Sequence, residues 1–566
     1  MAEPSLSKLS SRMAKLNPFK RQSSREDDDE DRGEAVDGAT VAGGGHSAQV
    51  TDLARHEMRV SDAVKAYLAN QGVVQIDDTE GLRALVETPH ISVPAHLTDE
   101  SHPLPEYFVS SSHNSYLMAH QLFGISSAAA YEATLNVGAK CVEIDAWDND
   151  DNPAEPKVTH GYTLVSNIPF RSVCETIRDT IDRTAATAAC PDAGAPILLS
   201  LENHCNAAGQ LRLVEIMKEV WGERLLASPV HDDDIEAHAT LGELGSKIAV
   251  IVEHHIPNEV EDTSSSSSSS SEDEDVDEKQ ARTDYKEKKK AAPAVLIVPE
   301  LAALGVYAQS VKPSDGSWFG DGGLASGPHH PLINVSESGL ADHLPANAAA
   351  IARHNARHLM RVYPKGTRIS SRNLRPENYW GLGAQIVALN FQTFSAGMQL
   401  NDALFYGTSG FVLKPDALRA GGDGVLLTGR RKKILRLIVG GATDVPIPAG
   451  RSLKDLKPYL TCSLLQPGSS VKRKTSARSQ KDIEDQDSLS PMWEETLEWR
   501  FDETELEFLR LLVKSDDSFS SNPVLAVAAV RLLYVVPGWT FVPLLDLKGH
   551  KTRGSLLVKF EIEAEE

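Results

Sequence analysis

Three segments of this chain, "KCVEIDAWD", "PILLSLENH" and "KIAVIVEHH", share one pattern: a short apolar run followed by carboxylate, amide or imidazole groups at its C-terminal end. An uninterrupted apolar run of roughly four to eight residues reads as a strand buried on both faces, because one face in water would impose alternation with polar residues. Segments of helical length separate the runs, which predicts parallel strands joined by crossover helices. Polar groups recurring at one end of parallel strands belong where a barrel assembles its active site. The pattern therefore predicts an α/β fold with a barrel and a polar mouth.

The alternation breaks at Asn258. "NEVEDTSSSSSSSSEDEDVDE" holds eight consecutive serines, and nine acids without one base lie between Glu259 and Glu278. Such a stretch buries too little surface to fold, and we assign 258–293 as an acidic, Ser-rich linker. Strand-like runs resume at "AVLIVPEL" and continue through "GAQIVALNFQT" to "GFVLKP", so the linker interrupts one barrel, with halves at 104–257 and 294–420. Beyond "RAGGDG" the texture changes to β runs and turns ("KILRLIVGGA", "PYLTCSLLQ", "SLLVKFEIE"), which predicts an all-β sandwich over 430–566. Residues 1–58 carry six bases and one acid up to Arg25, then "EDDDEDRGE", and are expected to be a disordered tail. Residues 59–103 read as a short helical segment ("VSDAVKAYLANQG", "DTEGLRALVE") without an oxygen-rich calcium loop.

Composition narrows the function classes. With 80 acidic and 57 basic residues the net charge is -23, which argues against nucleic acid or anionic lipid as partners of the whole surface. The five cysteines lack paired metal-ligand spacing and fit reduced thiols of the cytosol. No apolar run approaches the roughly 18 residues of a membrane span and the N-terminus lacks an apolar signal core, so the expected location is cytoplasmic, peripheral at a membrane.

In "CVEID", Glu143 and Asp145 are two residues apart, and the period of a strand puts both carboxylates on one face. Glu202 ends the next buried run and Asn114 lies in "SSSHNSYL", giving an oxygen-only set that suits calcium or magnesium rather than zinc. His113 adjoins Asn114, and His160 opens "HGYTLVS". A cation with two histidines stabilises charge on a phosphoryl group, lowers the pKa of an attacking hydroxyl and protonates a leaving oxygen. That is phosphodiester chemistry.

These motifs resemble the eukaryotic phosphoinositide-specific phospholipases C. The resemblance runs through "YFVSSSHNSYLMAHQLFG", "CVEIDAWD", "HGYTLVS" and "ILLSLENHC" in that family's X half. It continues through "RHNARHLMRVYPKGTRISSRNLRPENYWGLGAQIVALNFQT" and "GFVLKP" in its Y half. The resemblance implies a split TIM-type barrel followed by a C2-type sandwich. It implies calcium as cofactor, held by Asn114, Glu143, Asp145 and Glu202. His113 would stabilise the charged transition state, His160 would be the general acid, and Glu143, with Asp145 as the other candidate, would be the base. Ser310 and Arg361 would contact ring phosphates and Tyr363 would pack against the inositol ring. Leu122, Tyr162, Leu164 and either Trp318 or Phe319 would form an apolar rim. The implied activity is hydrolysis of phosphatidylinositol 4,5-bisphosphate, less phosphorylated phosphoinositides, or both, through a cyclic phosphodiester. The implied partners are a phosphoinositide lipid and a peripheral membrane surface, with an upstream regulatory protein unspecified.

The chain also departs from that family. Aligning "KIAVIVEHH" on Lys247 puts Ile251 and Glu253 where the family commonly has two phosphate-gripping lysines, leaving His254 or His255 as substitutes. The region before the barrel is too short for the family's usual N-terminal domains. In the sandwich, Asp455, Asp516 and Asp517 are kept, but Lys457, Ser515 and Pro523 stand where calcium-binding sandwiches usually have acids, which predicts a structural or weakly calcium-responsive module.

Overall fold

The computed structural model describes residues 58–117, 127–159, 167–187, 194–231, 234, 237–254, 296–312, 316–320, 324, 328–365, 373–426, 431–479, 488–516 and 522–565. The basic and acidic tail up to residue 57, the linker at 258–293, and Leu122, His160, Tyr162, Leu164, His255 and Asp517 lie outside these residues.

The first sheet contains strands β1 (Tyr107–Val109), β2 (Cys141–Trp147), β3 (Lys157–Val158), β4 (Ile168–Pro169), β5 (Ile197–Asn203), β6 (Ile248–Glu253), β7 (Gln309–Val311), β8 (Pro331–Ser336), β9 (Leu359–Tyr363), β10 (Ile386–Val387) and β11 (Phe411–Leu413). Eight of them run parallel in the order β1-β10-β9-β8-β7-β6-β5-β2. A parallel bridge between Ser111 and Cys141 brings the two ends together, so the sheet closes on itself. Strands β6 and β7 pair directly, Val252 opposite Gln309 and Glu253 opposite Ser310, although the acidic linker separates them in sequence. The linker therefore interrupts one barrel.

Alternation within each strand explains the solid apolar runs. Val142, Ile144, Leu199, Leu201, Val250 and Val252 pack outward with helices α1 (Phe170–Thr187) and α2 (Ala207–Trp221). Cys141, Leu198, Ala249, Ile251, Leu332 and Leu359 form a separate core with Tyr107 and Val109 inside the barrel. Both faces are dry, and burial contributes about 1.5–3 kcal/mol for each large aliphatic side chain. Two residues beyond Cys141 and Leu198, the paired positions are Glu143 and Ser200. Farther round, Asn334 pairs with Arg361. The interior thus turns polar toward the C-terminal ends of the strands, and that change of chemistry defines the mouth.

The second sheet is antiparallel: β12 (Lys432–Thr443), β13 (Pro458–Gln466), β14 (Ser469–Lys474), β15 (Met492–Asp502), β16 (Phe508–Ser515), β17 (Val524–Arg531), β18 (Gly538–Leu545) and β19 (Lys551–Ala564). Its order is β14-β13-β16-β17-β18-β19-β12-β15, and the β17–β18 join rests on one pair, Val527 with Leu545. The sheet folds over at that weak seam into the expected sandwich, and the Trp499 indole donates to the Val471 carbonyl at 2.9 Å across the other side. The sandwich shares a hydrophobic core with the barrel. Trp380 packs on Phe508 with ring centroids 5.7 Å apart, and Arg510 Nε donates to Gln399 Oε1 at 2.7 Å.

Before the barrel, helices over Asp62–Asn70 and Thr79–Glu87 cover the sandwich: Val64, Tyr67 and Leu68 share a core cluster with Phe541 and Leu557. One sequence expectation is corrected here. Trp318 is 2% exposed and its ring packs edge-on against His354 at 4.9 Å, because the turn at Gly316–Phe319 lies against the helix Ala348–Asn355. Trp318 is a core residue and not a rim, and Phe319 beside it is partly buried against the same core.

Candidate active site at the barrel mouth

The chain leaving β1 supplies the first residues of the site. Asn114 has a φ of 47°, a left-handed conformation that asparagine tolerates better than most residues. The turn aims its backbone N–H at Glu143 Oε2, 2.8 Å away. Glu143 and Asp145 project from β2, and Glu202 pairs with Asp145 across to β5. Ligand oxygens of Glu143, Asp145 and Glu202 all lie within 4.8 Å of one another, and this is the one group of three or more such side chains among the described residues with that spacing.

The electrostatics of the cluster are unfavourable without a cation. Burial, followed by the charges of Glu202 and Glu143, holds the Asp145 carboxyl well above the usual carboxylate range, although a hydrogen bond from Tyr116 opposes the shift. The Tyr116 hydroxyl lies 2.6 Å from Asp145 Oδ2 and 3.2 Å from Asn114 Oδ1, tying the amide to the acids. Asp145 Oδ1 is buried with no hydrogen-bond partner. A buried carboxylate oxygen without a donor costs roughly 1–3 kcal/mol or more, so it reads as a position for a ligand. An oxygen-only set of three carboxylates and one amide fits a hard divalent cation such as calcium.

His113 stands beside this cluster. Its Nδ1 is 2.9 Å from Asn390 Oδ1, and burial lowers its pKa against the opposing pull of Glu143. On the far side of the mouth, Arg361 is 4% exposed. Its Nη2 donates to Glu143 Oε1 at 2.5 Å and its Nη1 to Asn334 Oδ1 at 3.1 Å. Its guanidinium lies 5.3 Å from the centre of the Tyr363 ring. The Ser310 hydroxyl is buried without a partner, opposite Glu253. The structure thus gathers His113, Asn114, Glu143, Asp145 and Glu202, places Arg361 in direct contact with Glu143, and sets Ser310 within β7 and Tyr363 at the end of β9. His160 lies outside the described residues.

Sequence reasoning passed over Tyr116, Asn390 and His204. His204 Nε2 is 3.1 Å from Glu202 Oε1, and its ring stacks on Trp147 with centroids 4.0 Å apart. Each follows the same signal that revealed the acids, a polar group just beyond an apolar run, in "HNSY", "VALN" and "LENH".

The loop end of the sandwich is built otherwise. Asp455 Oδ2 accepts from the Ser452 hydroxyl at 2.7 Å and from its N–H at 3.3 Å, a local capping box. Ser515 Oγ accepts the Lys457 N–H at 3.0 Å, and the Asp516 N–H donates back to the Lys457 carbonyl at 2.9 Å.

Comparison with known proteins agrees with the two-module architecture. Residues 100–254 match the phosphatidylinositol-specific phospholipase C X domain, 301–417 the Y domain of the same family, and 433–539 the C2 domain. A 1-phosphatidylinositol 4,5-bisphosphate phosphodiesterase zeta-1 of Rattus norvegicus is 30% identical over 81% of this chain and 74% of its own length. A delta-3-A enzyme of that name from Danio rerio is 31% identical over 80% of this chain and 56% of its own length. The corresponding Dictyostelium discoideum protein is 32% identical over 84% and 61%. The chain spans about three-fifths of the length of several of these relatives, 56% to 63%. The crystal structure of L. pealei PLC21 has the same fold, with a TM-score of 0.69 at 23% identity, over 100% of this chain and 69% of that one. The X and Y matches fall in order on one closed barrel, and the Rattus norvegicus relative is covered over 74% of its length at 30% identity: this protein belongs to the phosphatidylinositol-specific phospholipase C family.

Proposed function

We propose that the protein is a calcium-dependent phosphoinositide phospholipase C. It cleaves phosphatidylinositol 4,5-bisphosphate or less phosphorylated phosphoinositides to diacylglycerol and inositol phosphates at a membrane surface. The observation that carries this reading is the buried Glu143, Asp145 and Glu202 cluster with its unpartnered Asp145 Oδ1, beside His113. Asn114, Glu143, Asp145 and Glu202 would hold calcium. When bound, the ion balances the three carboxylates and lowers the pKa of a hydroxyl presented to them.

The remaining steps are assigned to the chain's own groups. Glu143 accepts the proton of the inositol 2-hydroxyl, with Asp145 the other candidate, as that oxygen attacks the ring's own phosphate. Arg361, already held against Glu143, balances charge that appears as the hydroxyl loses its proton. His113 supports the charge on the phosphoryl oxygens, and His160 protonates the departing diacylglycerol oxygen. A cyclic phosphodiester forms first, and water then opens it. No side chain becomes covalently attached. Positioning and charge carry the rate. The Ser310 hydroxyl and Tyr363 line the head-group pocket, and Glu253 beside Ser310 disfavours a second ring phosphate. No helix among the described residues is long and apolar enough to cross a membrane, which fits peripheral binding.

The test is vesicle hydrolysis of phosphatidylinositol and its mono- and bisphosphates, with calcium or with a chelator, by wild type and His113→Ala. Turnover should require calcium and fall on the order of 1,000-fold in the variant. Full turnover in chelator, or an unimpaired variant, would overturn the assignment.

A further inference from the structure

We infer that Asn390 is the positioning residue for His113, with Asn373 holding Asn390 in place; this rests on the phospholipase reading above. His113 lies on the irregular segment after β1, where no regular element fixes its ring. What fixes it is the contact of Nδ1 with Asn390 Oδ1 at 2.9 Å. An amide oxygen only accepts, so Nδ1 carries the hydrogen and Nε2 is the nitrogen turned to the reacting phosphate. The backbones are registered as well: the His113 N–H donates to the Leu389 carbonyl at 2.8 Å, and the Leu389 N–H donates to the Ser111 carbonyl at 2.9 Å.

Asn390 is in turn gripped on both sides of its own peptide. Its N–H donates to Asn373 Oδ1 at 2.6 Å, and Asn373 Nδ2 donates to the Asn390 carbonyl at 2.9 Å and to Ser395 Oγ at 3.0 Å. The clamp is buried at Asn390, which is 1% exposed, so water does not compete with it. An amide in this place has a physical reason. A carboxylate would orient the same ring nitrogen but would add a fourth negative charge beside Glu143, Asp145 and Glu202.

Steady-state hydrolysis of a phosphoinositide in mixed vesicles, using the whole chain, tests the inference. Asn390→Ala should lower kcat on the order of 10- to 100-fold, with KM and the half-saturating calcium changed less than about twofold. Asn390→Asp keeps the acceptor and should retain kcat within roughly fivefold even though its added buried charge lowers the melting midpoint, which separates lost orientation from a folding defect in the alanine variant. The double variant with His113→Ala should be no slower than His113→Ala alone, because a residue acting through another adds nothing once that other is gone. Wild-type kcat in Asn390→Ala, or additive losses in the double variant, would overturn the inference. Wild-type turnover in His113→Ala would instead overturn the phospholipase reading itself.

Discussion

The barrel mouth and the loop end of the sandwich both carry acids that sequence alone marks as calcium candidates, and the structure treats them in opposite ways. At the mouth, three carboxylates are driven together by strand register, and Asp145 Oδ1 has no donor. At the loop end, Asp455 is taken up by its own Ser452, and the Lys457 and Asp516 backbones are stitched together with Ser515 contributing an uncharged oxygen. A carboxylate satisfied within its own turn gives up a hydrogen bond to take an ion, whereas one crowded by like charges gains from it. Proximity of acids is therefore a weaker indicator of a cation site than the absence of local donors.

The largest effect that can break this comparison is on turnover. Asp145→Asn should reduce calcium-dependent hydrolysis on the order of 1,000-fold, while Asp455→Asn should leave it within about twofold. Comparable losses in both variants would show that the loop end shares the essential ion. Next in size is linked stability. Calcium at about 100 times its dissociation constant should stabilise the wild type by about 2.7 kcal/mol, read as a raised melting midpoint. Asp455→Asn should keep that response and Asp145→Asn should lose it. In chelator the Asp145→Asn protein should melt above the wild type, since one of three crowded charges is gone. A calcium response preserved in Asp145→Asn would move the site elsewhere.

The unequal legibility of the two regions has a physical origin. The barrel was readable because a strand buried on both faces must be apolar throughout, so any carboxylate in it, such as Glu143 or Glu202, needs a reason. Spacing by two then put Glu143 and Asp145 on one face without further information. Tyr116, Asn390 and His204 were missed because tyrosine, asparagine and histidine beyond a strand end are common, and what singles these out is a contact partner far away in sequence, as with Asn390 and His113. Trp318 failed as a rim residue for the same reason: nothing local shows that His354 will cover it. At the loop end the pattern of acids was legible, but the capping box that consumes Asp455 depends on a turn geometry that sequence marks only faintly.

Largely buried histidines near the barrel's N-terminal end sharpen the contrast through pH. His238 lies against His330 and Tyr307, with Nε2 3.3 Å from His330 Nδ1. Burial, then His330 and His358, pushes its pKa down to about 3. Burial, then His358, lowers His354 to about 4, with Lys414 acting in the same direction and Asn355 opposing. Both folded-state values are below the unfolded value of about 6.5, so between these limits the unfolded chain binds more protons. Stability is complete above about pH 6.5 and is lost as the pH falls toward these folded-state values, by about 1 kcal/mol for each histidine at pH 5.5. His354→Gln should flatten the pH dependence of the denaturation midpoint between pH 7 and 5.5. An unchanged slope would mean that other groups titrate there.

The smallest expected effect tests whether the mouth is tuned as well as charged. Glu253 ends β6 opposite Ser310, whose buried hydroxyl is unpartnered, and Ile251 occupies the inward position below it in the apolar core. A ring phosphate approaching Ser310 meets a carboxylate where an ammonium would attract it. In a partly solvated mouth this exchange of sign is worth on the order of 1 kcal/mol, screened by salt. Glu253→Lys should therefore raise the kcat/KM ratio of the bisphosphate over phosphatidylinositol by roughly five- to tenfold, with the gain shrinking as ionic strength rises. Turnover of phosphatidylinositol itself should change less than that of the bisphosphate, because its head group carries no further ring phosphate to meet the new charge. An unaltered ratio would show that the head group is read from the Arg361 and Tyr363 side of the mouth, and that the acid at Glu253 is a solvated strand end rather than part of the pocket.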